Sequence, residues 1–254
     1  MSTSDVCSFP RVDDHLVRPE TREELVRGRL MLEPFASEPH ATRHSMINFV
    51  TRSAIGPEHR GAAGLLTRFG PDSDFGTDVC IRRAGIDPST GTRYLEELVF
   101  EIVHEEPLEA LTERAEILTA RGVRRVLAIF VGPEEVREWK DDQWVLLDPE
   151  GTISDPALAV PLPVRALLDR AEANRAVVRA LYAKQDPTLL ELEAQSREQG
   201  REQGLADIAR TAIAALCEVL DLPLDAERRA LLQTLDATKL EALLHAIRTA
   251  RRWP

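Results

Sequence analysis

The sequence predicts an α/β chain of the α+β kind: a mixed β-sheet core with flanking helices, followed by an all-helical extension. Three observations carry this. Residues 98–131 read strand, helix, strand, the crossover unit that lays two parallel strands in one sheet. Short apolar runs joined by polar turns lie on both sides of that unit. From about Thr188 onward, apolar residues recur only at helical spacing.

Taken in order, EELVRGRLMLEP predicts a hairpin around Gly28, a residue that accepts the positive φ of a tight turn. SEPHATRHSMINFVTRSA, with Met46, Ile47 and Val50 on one face, predicts a helix opened near Ser37 or Pro39 and stopped by Gly56 and Pro57. LLTRFGPDSDFGTDVCIRRAG predicts two strands joined by the turn GPDSDFG, and GIDPSTGTRY an exposed loop. LVFEIV is the most apolar strand. In PLEALTERAEILTARG, Pro107 suits the first helical position, Gly122 suits the residue after the last turn, and Leu108, Leu111, Ile117 and Leu118 form the buried stripe. VRRVLAIFV is the next strand, VREWKDDQWVLLDPEG a hairpin around Asp141 and Asp142, and PVRALLDRAEANRAVVRALYAKQ a helix.

The composition shifts at about Thr188, where ELEAQSREQGREQG carries a tandem REQG repeat that is polar on every side. Such a repeat buries no core and serves as a helical or flexible spacer. The domain reading is an N-terminal segment at 1–20, a sheet domain at 21–187, the spacer at 188–204 and a helical region at 205–254. In the last run Leu240, Leu243, Leu244 and Ile247 make one face behind Asp236, a suitable N-cap. That face must bury against the two preceding helices or against a second copy of the chain.

At 254 residues, 43% hydrophobic and 30% charged, the chain has material for one sizeable domain and an appendage. A net charge of −11 argues against a broad basic surface, so any contact with DNA would use a local patch. Cys7, Cys80 and Cys217 lie far apart without metal-ligand spacing, which fits packed thiols in a reducing compartment. The N-terminus lacks a signal-peptide pattern and no apolar run approaches the ~20 residues of a membrane span. A cytoplasmic protein without membrane contact is expected.

Glu101 stands inside LVFEIV, where an ionised carboxylate is costly unless a cation, a metal ion or water meets it. Asp78, in the strand TDVCIRR, could converge with it from a neighbouring strand into a hard, oxygen-rich site suited to Mg²⁺. The same spacing equally admits Asp78 as a turn residue at a strand start and Glu101 as a salt-bridged acid on a wet face. His40 and His44, four apart on one helical face, could share a zinc ion, but Ala41 stands where the zinc-protease pattern needs glutamate, and hydrogen bonding at the helix start is the commoner role.

From roughly Glu23 to Arg170 the chain resembles the Uma branch of restriction endonucleases, within the PD-(D/E)XK nuclease superfamily. The matching stretches are ELVRGRLMLEPFASEPH, TDVCIRR, LEELVFEIV, and TARGV before VLAIF, in the family's order. The resemblance implies a restriction-endonuclease-like sheet core and a Mg²⁺-dependent endonuclease hydrolysing phosphodiester bonds in DNA. It places the family's aspartate on Asp78 and its strand glutamate on Glu101, with Pro71-Asp72 left as a turn. The family's lysine position in the strand is Val103; its displaced position on the following helix, counted back from Gly122, is Arg114. Arginine stays protonated, so Arg114 can neutralise phosphate charge but cannot deprotonate water. Thr77 replaces the motif proline, and His104 with Glu105 replaces a small polar residue and proline.

Two readings follow. In the first, Asp78 and Glu101 hold Mg²⁺ while Arg114, with His104, contacts the scissile phosphate, activity being reduced by the missing lysine. In the second, the fold is catalytically silent and serves as a binding or assembly module. Either is compatible with a homodimer joined through the C-terminal helices, whose Leu and Ile faces the sequence leaves with few intrachain partners.

Overall fold

In the computed structural model, residues 9–33 and 35–254 are described; Cys7 lies outside them. The chain divides into two units, Met1–Lys184 and Gln185–Pro254.

The first unit opens with β1 (Glu23–Val26) and β2 (Arg29–Leu32), paired across Arg27 and Gly28, whose φ values of 46° and 76° are those of a tight hairpin turn. α1 (Glu38–Ala54) starts at Ser37 with Pro39 in its first turn, as the sequence indicates. Next come β3 (His59–Gly70) and β4 (Ser73–Arg83). The turn between them is shorter than GPDSDFG: Gly70 pairs with Ser73, and Asp74, Phe75 and Gly76 are already strand. Tertiary contacts override turn propensity there, because the fully buried Asp74 carboxylate accepts the backbone N–H groups of Leu16 and Val17 and meets the His15 imidazole at 3.0 Å. The expected loop at 85–94 contains a small hairpin, β5 (Ile86–Asp87) with β6 (Thr92–Arg93).

β7 (Glu96–Val103), α2 (Leu108–Arg121) and β8 (Arg125–Phe130) form the expected crossover, with β7 and β8 parallel. Gly122 ends α2 at φ 114°, a conformation costly for other residues. Leu111, Ala115 and Leu118 are the buried face of α2, whereas Leu108, at the first turn, is exposed. β9 (Glu135–Lys140) and β10 (Gln143–Leu146) join at Asp141 and Asp142, both with positive φ. β11 (Thr152–Ile153) and β12 (Leu162–Pro163) pair apart from the main sheet. The helix expected at 163–185 is broken: a 3₁₀ turn at Val164–Leu167 precedes α3 (Arg170–Ala183), which Asp169 caps by accepting the Glu172 N–H. Asp169 competes for the backbone as an N-cap and restarts the helix.

Among the described residues the main sheet has eight strands, in the order β10, β9, β8, β7, β4, β1, β2, with β3 along the other side of β4. One face buries Val79, Ile81, Phe100 and Ile102 beneath Ile47 and Val50 of α1 and Ala173 of α3. The other buries Phe75, Cys80, Val99 and Val126 beneath Ala115 and Leu118 of α2. The fold is thus mixed α+β, with helices on both faces of a mixed sheet.

The second unit is all helical: α4 (Pro187–Val219), α5 (Ala226–Thr234) and α6 (Ala237–Ala250), capped by Asp186, Asp225 and Asp236. α4 runs unbroken through both REQG repeats, with Arg197–Glu193 and Arg201–Glu198 pairs along its polar stretch. Leu240 and Ile247 are buried against Ile213, Cys217 and Leu232, with Leu243 and Leu244 beside them. The last apolar face therefore packs on the two preceding helices, the first of the two alternatives open to it. Among the described residues, no helix is long and apolar enough to cross a membrane.

Candidate functional site

The site arises from a split in the sheet. β3 follows β4 along its whole length, but the opposite side of β4 is shared: β1 pairs there at Asp74, and β7 pairs only from Val79 onward. Between those points, residues 75–78 of β4 face no strand on that side, and their backbone groups need other partners. Side chains supply them. The Gly76 N–H donates to Glu24 Oε1 at 2.7 Å, the Gly76 carbonyl accepts from Arg114, and Asp78 Oδ2 accepts the Ile102 N–H at 2.7 Å. A cavity of about 530 Å³ opens at the split, lined by Glu24, Glu33, His40, Asp78, Glu101, His104, Glu106 and Arg114 among others.

Asp78 stands just beyond the last β4–β7 pair, Val79 with Phe100, and is met from α1, whereas Glu101 faces Arg114 of α2. Both carboxylates border the cavity, near enough for Asp78 to raise the Glu101 pKa. Glu101 is 5% exposed, and its Oε1 is buried without a hydrogen-bond partner. Its Oε2 lies 3.7 Å from the Arg114 guanidinium, which binds Glu24 more closely, at 2.8 Å, and stacks over the Phe75 ring at 4.5 Å. His40 and His44 both turn toward Asp78. His40 Nε2 lies 3.5 Å from its carboxylate, and His44 Nε2 donates to its backbone carbonyl at 2.7 Å. Their rings stack, and one nitrogen of each serves Asp78, while His40 Nδ1 is buried without a partner.

The charges are unbalanced in favour of acid. Burial holds Glu101 well above the usual carboxylate range; Arg114 opposes this, while Asp78, Glu106 and Glu24 add to it. Glu106 and Glu33 are also raised, first by partial withdrawal from water and then by neighbouring carboxylates. Burial works against the charge on Arg114, but Glu101 and Glu24 outweigh it and keep the guanidinium protonated. The His40 pKa is raised mainly by its bond to Asp78. Five carboxylates thus surround one half-buried arginine, and Glu101 sheds that repulsion by taking a proton or by meeting another cation.

A stability prediction follows. An acid whose folded pKa is raised stabilises the fold below its unfolded value, near 4.5, and loses that contribution as pH rises through the folded value. In chelator-containing buffer, Glu101→Gln is therefore expected to gain stability over the unmodified chain progressively from about pH 4.5 upward. Urea midpoints of both proteins across pH 4–8 check this; a difference independent of pH contradicts it.

Asp78, Glu101, Arg114 and His104, singled out in the sequence, all border the one cavity. Val103, at the strand position of the family lysine, is instead buried with Leu111 and Ala128 and does not line it. Sequence reasoning passed over Glu24, Glu33 and Glu106. Glu24 was legible in principle, since alternation along EELV puts it on the inward face with Val26. Among the described residues no three His, Cys, Asp or Glu side chains stand in ready metal-binding geometry.

The sequence matches no family model and no curated protein. Among solved structures, the chain is similar to a protein from Anabaena variabilis described as "a putative nuclease belonging to DUF820", at 15% identity and a TM-score of 0.49, covering 59% of this chain and 90% of that one.

Proposed function

We propose that this chain is a divalent-cation-dependent nuclease that hydrolyses phosphodiester bonds in DNA, with Asp78 and Glu101 as the cation's carboxylate ligands. The buried, unpartnered Glu101 oxygen in the cavity that Asp78 also lines supports this reading most strongly. An all-oxygen, acid-rich donor set suits Mg²⁺, which prefers one or two carboxylates and keeps its remaining positions for water and phosphate. A magnesium ion bound there would lower the pKa of a coordinated water and offset charge on the phosphate.

The chain's own groups then divide the remaining work. Arg114, held by Glu24 and the Gly76 carbonyl, neutralises charge developing on the phosphate but cannot remove a proton from water. His104, which also lines the cavity, would contact the phosphate. Glu24 fixes Arg114 and acts as a positioning residue. One observation favours the second reading, a catalytically silent binding or assembly module: Arg114 already has close partners at the position where the resembled family often has a lysine.

A Mg²⁺ and Mn²⁺ titration with a supercoiled plasmid and a panel of labelled oligonucleotides separates the two. Cleavage that requires metal supports the nuclease; binding without cleavage in any metal supports the silent module. Arg114→Lys restores a group able to shed a proton and is expected to raise cleavage about 10-fold or more. No change, in a background where Glu101→Ala abolishes cleavage, rejects the role given to Arg114.

A further inference from the structure

β2 is the last strand of the sheet on its side, and among the described residues no further strand pairs with it. It is also apolar. Leu30, Met31 and Leu32 are 64%, 45% and 70% exposed, in consecutive positions on a free edge. Edge strands are normally guarded by charge, proline or a bulge, and these three positions carry none of them.

The hydrogen-bond phase of β2 is fixed by its pairing with β1. Val26 pairs with Arg29, Glu24 with Met31, and Glu33 N–H donates to the Arg22 carbonyl at 2.9 Å. The inward-bonding residues are therefore 29, 31 and 33, and the N–H and C=O groups of Leu30 and Leu32 point away from the sheet. Two copies of this edge laid antiparallel about Met31 bring Leu30 of each against Leu32 of the other. These are the two residues whose outward groups need partners. The same register sets Arg29 of one copy opposite Glu33 of the other, twice by symmetry, as a pair whose side chains approach closely.

From this self-complementarity we infer that the chain forms a two-fold homodimer by antiparallel pairing of β2 with β2, centred on Met31. The occupant of the edge is a second copy, because RLMLE reads cation, three apolar residues, anion, and so complements itself when reversed. Arg29 also meets Glu113 of its own α2, and its five donors suffice for both carboxylates. Met31, Leu32 and Glu33 also line the cavity described above, so the pairing sets a cavity wall of each copy at the interface. The inference does not depend on that cavity's chemistry.

Light scattering and sedimentation of the full chain test it. The unmodified chain is expected to be dimeric at micromolar concentration. Leu32→Pro removes an outward N–H that β1 does not use and should give a folded monomer. Arg29→Glu and Glu33→Arg each place like charges together twice, and each should weaken the homodimer by at least ~100-fold. Mixed one to one, those two variants restore both charge pairs and should form a heterodimer. A monomeric unmodified chain overturns the proposal. So does a dimer that survives Leu32→Pro, which would place the contact elsewhere, or a mixture of the charge variants that stays monomeric.

Discussion

Glu101→Ala is expected to remove metal-dependent cleavage, a loss of more than about 100-fold, while leaving the fold intact or more stable. Removing even a group that only supports a metal ligand costs ~10–100-fold, and Glu101 is proposed as a ligand itself. The stability expectation has the opposite sign because the carboxylate is buried with one oxygen unpartnered, and taking it away relieves that cost. Arg114 keeps Glu24 as its partner at 2.8 Å, so the substitution does not strand a buried cation. Initial cleavage rates beside urea midpoints measure both effects. Lower stability with proportionally lower activity would make Glu101 a structural residue and remove it from the site.

Arg114→Met should be the most destabilising single change at the site. It leaves Glu24 and Glu101, both buried, without the cation between them, and breaking a buried ion pair from one side costs about 3–5 kcal/mol. For a domain of this size that is a fall in Tm of roughly 10 °C. Two further outcomes separate this cause from lost packing over Phe75. Millimolar Mg²⁺ should recover part of the loss, since it supplies a cation to the same carboxylates. Adding Glu24→Gln and Glu101→Gln to Arg114→Met should also recover much of it. Calorimetry and urea unfolding of the variants give the answer, and a loss below about 1 kcal/mol contradicts the account.

The crossover was legible because residues 98–131 satisfy local and global demands together: an unbroken apolar strand, a helix ended by Gly122, and a second apolar strand. The hairpins at Arg27-Gly28 and Asp141-Asp142 were legible for the same reason. What escaped depends on long-range contact. Asp74 reads as a turn residue until the N–H groups of Leu16 and Val17 are found on its carboxylate. The cluster around Arg114 shows the same limit. Glu101 drew notice because an acid inside LVFEIV is anomalous, whereas Glu24 sits in an unremarkable acidic pair at Glu23-Glu24. Its importance appears only when β1 and β7 are seen to share one side of β4 and leave Gly76 for side chains to serve. The C-terminal stripe is legible as a face that must be buried; which partner buries it is a tertiary fact that helical periodicity does not encode.

If Asp78 and Glu101 together hold a divalent cation, as proposed, isothermal titration calorimetry detects it without reference to activity. Mg²⁺ titrated into the full chain in buffers of different ionisation enthalpy is expected to give saturable binding with release of a proton, because the raised Glu101 pKa leaves a proton for the cation to displace. Affinity should increase as pH rises from the ordinary carboxylate range toward the Glu101 value, and binding should disappear in both Asp78→Ala and Glu101→Ala. Binding that persists unchanged in Glu101→Ala, or no saturable binding in the unmodified chain at any pH between 6 and 9, would contradict the account.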